Sequence, residues 1–124
     1  MGADMRETAK TLYDFWSGFQ IPAFVEGYVP DDQALPYITY QLLKTNWRSQ
    51  SATYARVWYY DTSYDAITSK VNQIEAAIGE GITLKSGDGF IFLAKDINFC
   101  QFQPSDTDGL KVAYLQLITE TNKS

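Results

Sequence analysis

Histidine is absent from this chain of 124 residues, and cysteine occurs once. Without imidazole the chain lacks the side chain whose ordinary pKa falls in the physiological range, and with it the most common acid–base catalyst and metal ligand. A single thiol, Cys100, rules out an intramolecular disulfide or a cysteine-based zinc site and fits synthesis in a reducing cytoplasm. Its place inside the strand-like run 97–103 favours a small buried hydrophobe over a reactive group. Long apolar runs are missing too. No stretch approaches the roughly 18 residues of a membrane span, and residues 1–10 have neither the basic start nor the apolar middle expected of a secretion signal. Arg6 stands where a myristoylation signal needs Ser or Thr. Basic charge is the scarcer sign, ten Lys and Arg against fifteen Asp and Glu, for a net charge of −5. Domains that bind nucleic acid carry a basic patch against the phosphates, so direct binding of DNA or RNA is not expected.

What the chain has in quantity is apolar and aromatic surface: 45% hydrophobic residues and 15% aromatic. That suffices for one sizeable core, and chains split into separate cores only beyond roughly 250 residues, so residues 1–124 read as a single domain. The aromatic share exceeds what a small core needs, which suits an interface. The stretch 35–60 holds two segments, 36–44 and 53–60, dense in Tyr, Trp, Ile, Val and Thr and joined by a polar loop, 45–52. Both read as strands of a hairpin. Ile38, Tyr40 and Leu42 share one face and Tyr37, Thr39 and Gln41 the other; in the second segment Ala55, Val57 and Tyr59 oppose Tyr54, Arg56 and Trp58. Within the loop Trp47 and Arg48 are adjacent, and both types are enriched at the centres of interfaces, so they are the candidate interface residues. The competing use of Trp47 is to fold back over the sheet edge.

Met5, Ala9, Leu12, Trp16 and Phe19 form one apolar stripe at helical spacing, with Asp4 and Glu7 spaced as a capping box and Gly18 as a stop. Residues 21–27, with Pro22 early, read as a short edge strand. Asp61-Thr62-Ser63 is a cluster of capping residues before Ile67, Val71, Ile74 and Ile78, which define a second helix ended by Gly79 and Gly81. Gly87-Asp88-Gly89 reads as a turn, residues 90–95 as a strand, Asp96 as a tight change of direction, and 97–103 as another strand. After the turn 104–109, residues 110–119 form a last strand and 120–124 a flexible polar tail. The expected fold is α+β: a mostly antiparallel sheet of four to five strands with two helices packed on one face.

The residues provide no catalytic, cofactor-binding or metal site. Asp31-Asp32 and Asp106/Asp108 sit in turns, where Asp serves local backbone hydrogen bonds. Asp106-Thr107-Asp108-Gly109 matches part of a calcium loop without its further ligands or closing Glu. Gly79-Glu80-Gly81 and Gly87-Asp88-Gly89 do not form a dinucleotide fingerprint. Lys70, Lys85, Lys95 and Lys111 are dispersed and read as solvated.

Several strings together resemble a known family. The first helix running into Ile21-Pro22-Ala23-Phe24, the strand Leu35-Pro36-Tyr37-Ile38-Thr39-Tyr40-Gln41, the aromatic run Val57-Trp58-Tyr59-Tyr60 and the helix at 64–78 are similar to the tail-terminator (tail completion) proteins of long-tailed bacteriophages and prophages. The resemblance implies a small protein with helices on a sheet that forms a homohexameric ring on the end of the tail tube. Such a ring stops tube polymerisation and presents the face that joins the head. It further implies the tail tube protein and the head connector protein as partners, no catalysis, and no cofactor. The expected location is the host bacterial cytoplasm during assembly, then the head-proximal end of the tail in the virion. Similar folds serve as head–tail connector, neck or minor capsid proteins, a monomeric protein-binding module is a third reading, and an enzyme with an acidic site is the last.

Overall fold

A computed structural model describes residues 5–42, 50–87, 89–105 and 107–123. Trp47, Arg48 and the capping residue Asp4 lie outside the described residues. The first helix, α1 (Met5–Trp16), continues into a 3₁₀ turn, Ser17–Phe19. Strand β1 (Ala23–Val25) follows, then β2 (Tyr37–Tyr40), β3 (Gln50–Tyr60), α2 (Asp65–Ile78), β4 (Ile82–Ser86), β5 (Gly89–Gln103) and β6 (Leu110–Lys123). Among the described residues one sheet holds six strands in the order β1-β2-β3-β6-β5-β4 and curls into a half-barrel. β1 runs parallel to β2, and every other neighbouring pair is antiparallel.

The α+β class and the packing of both helices on one face agree with the sequence. Four to five strands is a correction to six in a mixed sheet. The strand at β4 was not expected, although Ile82 and Leu84 alternate with Thr83 and Lys85, because two glycine signals flank it. The runs 90–95 and 97–103 are one strand, and Asp96 opens a bulge instead of a reversal: pairing with β6 passes from Lys95↔Leu117 to Cys100↔Leu115. The last strand also runs four residues past Thr119, with Glu120 opposite Phe92 and Lys123 opposite Gly89. Partner strands on the β5 side draw these polar residues into the ladder.

Helix α2 buries its whole stripe, Ile67, Val71, Ile74 and Ile78. These meet Ile38, Val57, Leu115 and Leu93 on the sheet, while Leu12 and Trp16 of α1 and Phe19 of the following 3₁₀ turn fill the remainder of the same core. Trp16 stacks on Tyr40 with ring centroids 6.2 Å apart and planes 14° from parallel. The capping cluster acts, with a shift: Ser63 Oγ accepts from Asp65 N–H at 3.3 Å, and Tyr64 occupies the cap position.

Lys70 departs from the expectation of a solvated amine. It is buried, and its Nζ donates to the Phe19 carbonyl at 2.6 Å and to Gln73 Oε1 at 2.7 Å. A carbonyl at a helix end lacks an intrahelical donor, and the ammonium supplies one from the neighbouring helix. At the far end of the core, Gly87 at φ +58° lies so close to α1 that a Cβ there would collide with the Glu7 carboxylate. Lys70 therefore ties the 3₁₀ turn that follows α1 to α2, and Gly87 lets the β4–β5 turn approach the first turn of α1.

Candidate functional site

With both helices on one side of the sheet, the other side has no helical cover among the described residues. Strand alternation sends every second residue of β1, β2, β3 and β6 to this open face. The register sets out two transverse rows. Phe24, Thr39, Arg56, Tyr114 and Gln101 lie side by side, and next to them Tyr37, Trp58, Val112 and Gln103. Most of these side chains are half-buried, with Thr39 and Val112 buried fully beneath them.

Directional contacts hold the array. Phe24 meets Tyr37 edge to face at 6.0 Å, and Tyr37 meets Trp58 at 6.0 Å. The Trp58 indole N–H donates to Thr39 Oγ1 at 2.9 Å, which satisfies the ring's polar atom and fixes its orientation. Tyr54 and Tyr114 stack at 5.2 Å, and the Arg56 guanidinium lies 4.8 Å and 5.3 Å from their ring centres. Arg56 Nη1 donates to Glu26 Oε1 at 2.9 Å and Arg56 Nε to Gln103 Oε1 at 3.4 Å. One arginine thus ties together residues from β3, β5, β6 and the end of β1. Its charge is already matched by Glu26, so the face presents flat aromatic and guanidinium surface rather than a free cation.

This face has the composition of an interface core, rich in Tyr, Trp and Arg and preorganised by its own contacts. The chemistry within the core is of another kind. A cavity of about 20 Å³ beside α1, edged by Thr8, Thr53, Thr119 and Thr121, has room for a single water. There the Thr53 and Thr119 hydroxyls hydrogen-bond at 2.9 Å. Burial pushes the Tyr40 phenol above its ordinary value, with a further push from Tyr13, and burial does the same to Tyr59. The Cys100 thiol is raised by burial and then by Glu75, which favours the unreactive protonated form. Among the described residues no group of three or more His, Cys, Asp or Glu converges to hold a metal ion, and no helix is long and apolar enough to cross a membrane.

Trp47 and Arg48, the candidate interface residues of the sequence, lie outside the described residues. Strand alternation in the sequence puts Tyr37 and Thr39 on one face of their strand and Tyr54, Arg56 and Trp58 on one face of theirs, without saying which face is covered, and the structure puts all five on the open face. It did not single out Phe24, Glu26, Gln103 or Tyr114. These come from three other segments, and the only local signal was the surplus of aromatic residues. No protein-family model matches the chain, and no curated protein matches it.

Proposed function

We propose that this chain is a structural subunit of a bacteriophage tail, of the terminator kind, that assembles as a ring on the end of the tail tube, ends its polymerisation and offers the face that joins the head. The observation that carries the reading is the open face, where Arg56, Tyr54, Tyr114, Tyr37 and Trp58 form a rigid, charge-matched surface. Side chains of these types, fixed before binding, contribute contact area at small entropic cost. The occupant of that face is a neighbouring copy in the ring. A head-to-tail ring uses two different patches on each subunit, and the open face is one of them. The resemblance in the strings around Ile21-Pro22, Tyr37–Tyr40 and Val57-Trp58 supplies the tail tube and head connector as further partners. In this reading the protein acts by shape and contact, without catalysis or cofactor, first in the host cytoplasm and then at the head-proximal end of the tail.

Size-exclusion chromatography with light scattering, over a wide concentration range and with and without purified tail tubes, tests it. A discrete ring of about six subunits, or monomers that become ring-sized only on tube ends, supports the proposal. A monomer at every concentration with no tube binding overturns it. Binding to the head's connector ring alone would place the chain in the neck.

A further inference from the structure

The free edge of β5 is explained neither by the core nor by the open face. β4 pairs with β5 only as far as Leu93. From Ala94 to Gln103 the strand is bonded on one side, to β6, and among the described residues no strand lies on its other side. The first part of this stretch is the bulge, whose backbone is satisfied locally: Ile97 N–H donates to Asp96 Oδ1 at 2.7 Å and Gln116 Nε2 to the Asn98 carbonyl at 2.8 Å. The bulge also leaves Ile97 94% exposed. Beyond it, Cys100 to Gln103 return to a regular ladder with Leu115 to Val112. Alternate residues of such a strand direct N–H and C=O away from the partner, so half of these backbone groups face outward. Proteins usually blunt an edge with proline, charge or a bulge; here the bulge and Pro104 bracket residues 100–103, and Cys-Gln-Phe-Gln itself has neither proline nor charge, so the open edge is confined to these four residues.

The flanking chemistry narrows what fits. Cys100 and Phe102 lie on the helix side, where Phe102 meets Tyr64 edge to face at 5.2 Å, and Gln101 and Gln103 lie on the open side. Asp96 stands where the edge begins. Where it ends, Asp61 donates its N–H to Gly109 O, and exposed Asp65 and Asp108 lie close along the chain to Tyr64 and Gly109. Two cations among the described residues lie nearby, fewer than the carboxylates: Lys95 pairs with Glu75 at 3.0 Å, and Lys111, which keeps its charge, sits 5.0 Å above the Tyr64 ring. The border is therefore acidic. A second copy is a poor match at each of its own edges: β1 spans three residues, has the Val25 carbonyl taken by Tyr28 N–H and is followed by Glu26, Asp31 and Asp32; β4 follows Glu80, has the Lys85 carbonyl accepting from Thr11 Oγ1 at 3.4 Å and carries its lysine within the strand instead of on a flank; and β5 would bring the same acidic border against itself.

We infer that residues 100–103 of β5 accept an extended strand from a partner protein, one that alternates apolar and polar residues and carries Lys or Arg on its flanks. Backbone hydrogen bonds supply the attachment, the apolar positions pack beside Phe102 and Tyr64, and the basic flanks meet Asp96 at one end and Asp65 and Asp108 at the other. The inference does not depend on the ring.

Hydrogen–deuterium exchange of the full chain tests it, with a synthetic peptide of alternating valine and threonine bearing two lysines at each end as the probe. The expected result is exchange slowed at least tenfold at residues 100–103, and no slowing with the same peptide N-methylated at its four central residues. A glutamate-flanked peptide is expected to bind at least tenfold more weakly, and Asp65→Lys with Asp108→Lys to remove most of that difference while leaving the circular dichroism unchanged. No slowing at 100–103 at saturating peptide, or slowing at β1 or β4 instead, overturns the inference. Equal binding of the glutamate-flanked peptide overturns the charge match, and protection at 100–103 that rises with protein concentration without peptide makes a second copy the occupant. A failure to form rings bears on the proposed function alone.

Discussion

The covered and open faces of the sheet use the same strands and pack by different rules. At Ile38, Val57 and Ala113, or at Ala55 and Leu115, the covered face presents aliphatic side chains with no exposure, sealed by α2. One residue along, the open face presents Tyr37, Trp58, Arg56 and Tyr114, half-exposed and held by ring contacts, cation–π contacts and an ion pair. Burial is non-directional, so the covered face stabilises the fold through area and shape. Directional contacts on a half-exposed surface contribute less to stability and more to rigidity. A face of that kind keeps its geometry while remaining available to a partner.

That contrast is broken most severely from the covered side. Ile74 has no exposure and faces the sheet, so Ile74→Asp places a carboxylate in the core without a partner. The expected loss is on the order of 4 kcal/mol or more, against a total of about 5–15 kcal/mol for a domain, and the variant should fail to fold. Circular dichroism checks this, and a soluble variant with an unaltered spectrum would contradict the helix phase. On the open side, Arg56→Ala removes two cation–π contacts and leaves Glu26 without its cation. Because both charges are partly exposed, the expected cost is smaller, about 1–2 kcal/mol in urea denaturation, with the fold intact and ring formation weakened. Arg56→Lys should recover part of the stability and less of the assembly, since an ammonium lacks the flat stacking surface.

Two smaller effects sharpen the comparison. Tyr40 and Tyr59 have pKa values raised by burial above the ordinary 10.0, so the folded state keeps protons that the unfolded chain releases. Their contribution is complete below about pH 10 and is lost as pH rises through the folded values; Cys100 acts in the same direction from its ordinary 9.0 upward. Stability should fall on the alkaline side, and Tyr40→Phe should make that fall shallower in denaturant titrations at stepped pH. An unchanged slope would contradict the assignment. The smallest effect is at Ser86, whose buried hydroxyl has no hydrogen-bond partner among the described residues. Ser86→Ala is expected to be neutral or to stabilise by about 0.5–1 kcal/mol in thermal unfolding.

The sequence showed most where periodicity is local. The spacing of Ile67, Val71, Ile74 and Ile78 identified α2 and its buried face, and alternation in 36–44 and 53–60 separated the two faces of each strand, while packing under the helices decides which of them is covered. It showed less where pairing between distant segments decides. A turn and a bulge at Asp96 have the same local signature, and only the pairing of Cys100 with Leu115 distinguishes them. The open face is the extreme case. Arg56 meets Tyr54 two residues away, but its other partners, Glu26, Gln103 and Tyr114, are 30, 47 and 58 residues distant, so no spacing motif could carry the constellation. Trp47 and Arg48 stand out by residue type within one loop, which is a local signal and carries nothing about partners distant in the chain.

The most direct test of the central claim, that the open face is the assembly surface, is hydroxyl-radical footprinting of the chain alone and bound to tail-tube ends. Tyr37, Tyr54, Trp58 and Tyr114 report that face, and Tyr28, 78% exposed in the connection between β1 and β2, serves as the reference. The account predicts that labelling of the four falls several-fold on assembly relative to Tyr28. Unchanged labelling of all four in a particle of ring mass would contradict it.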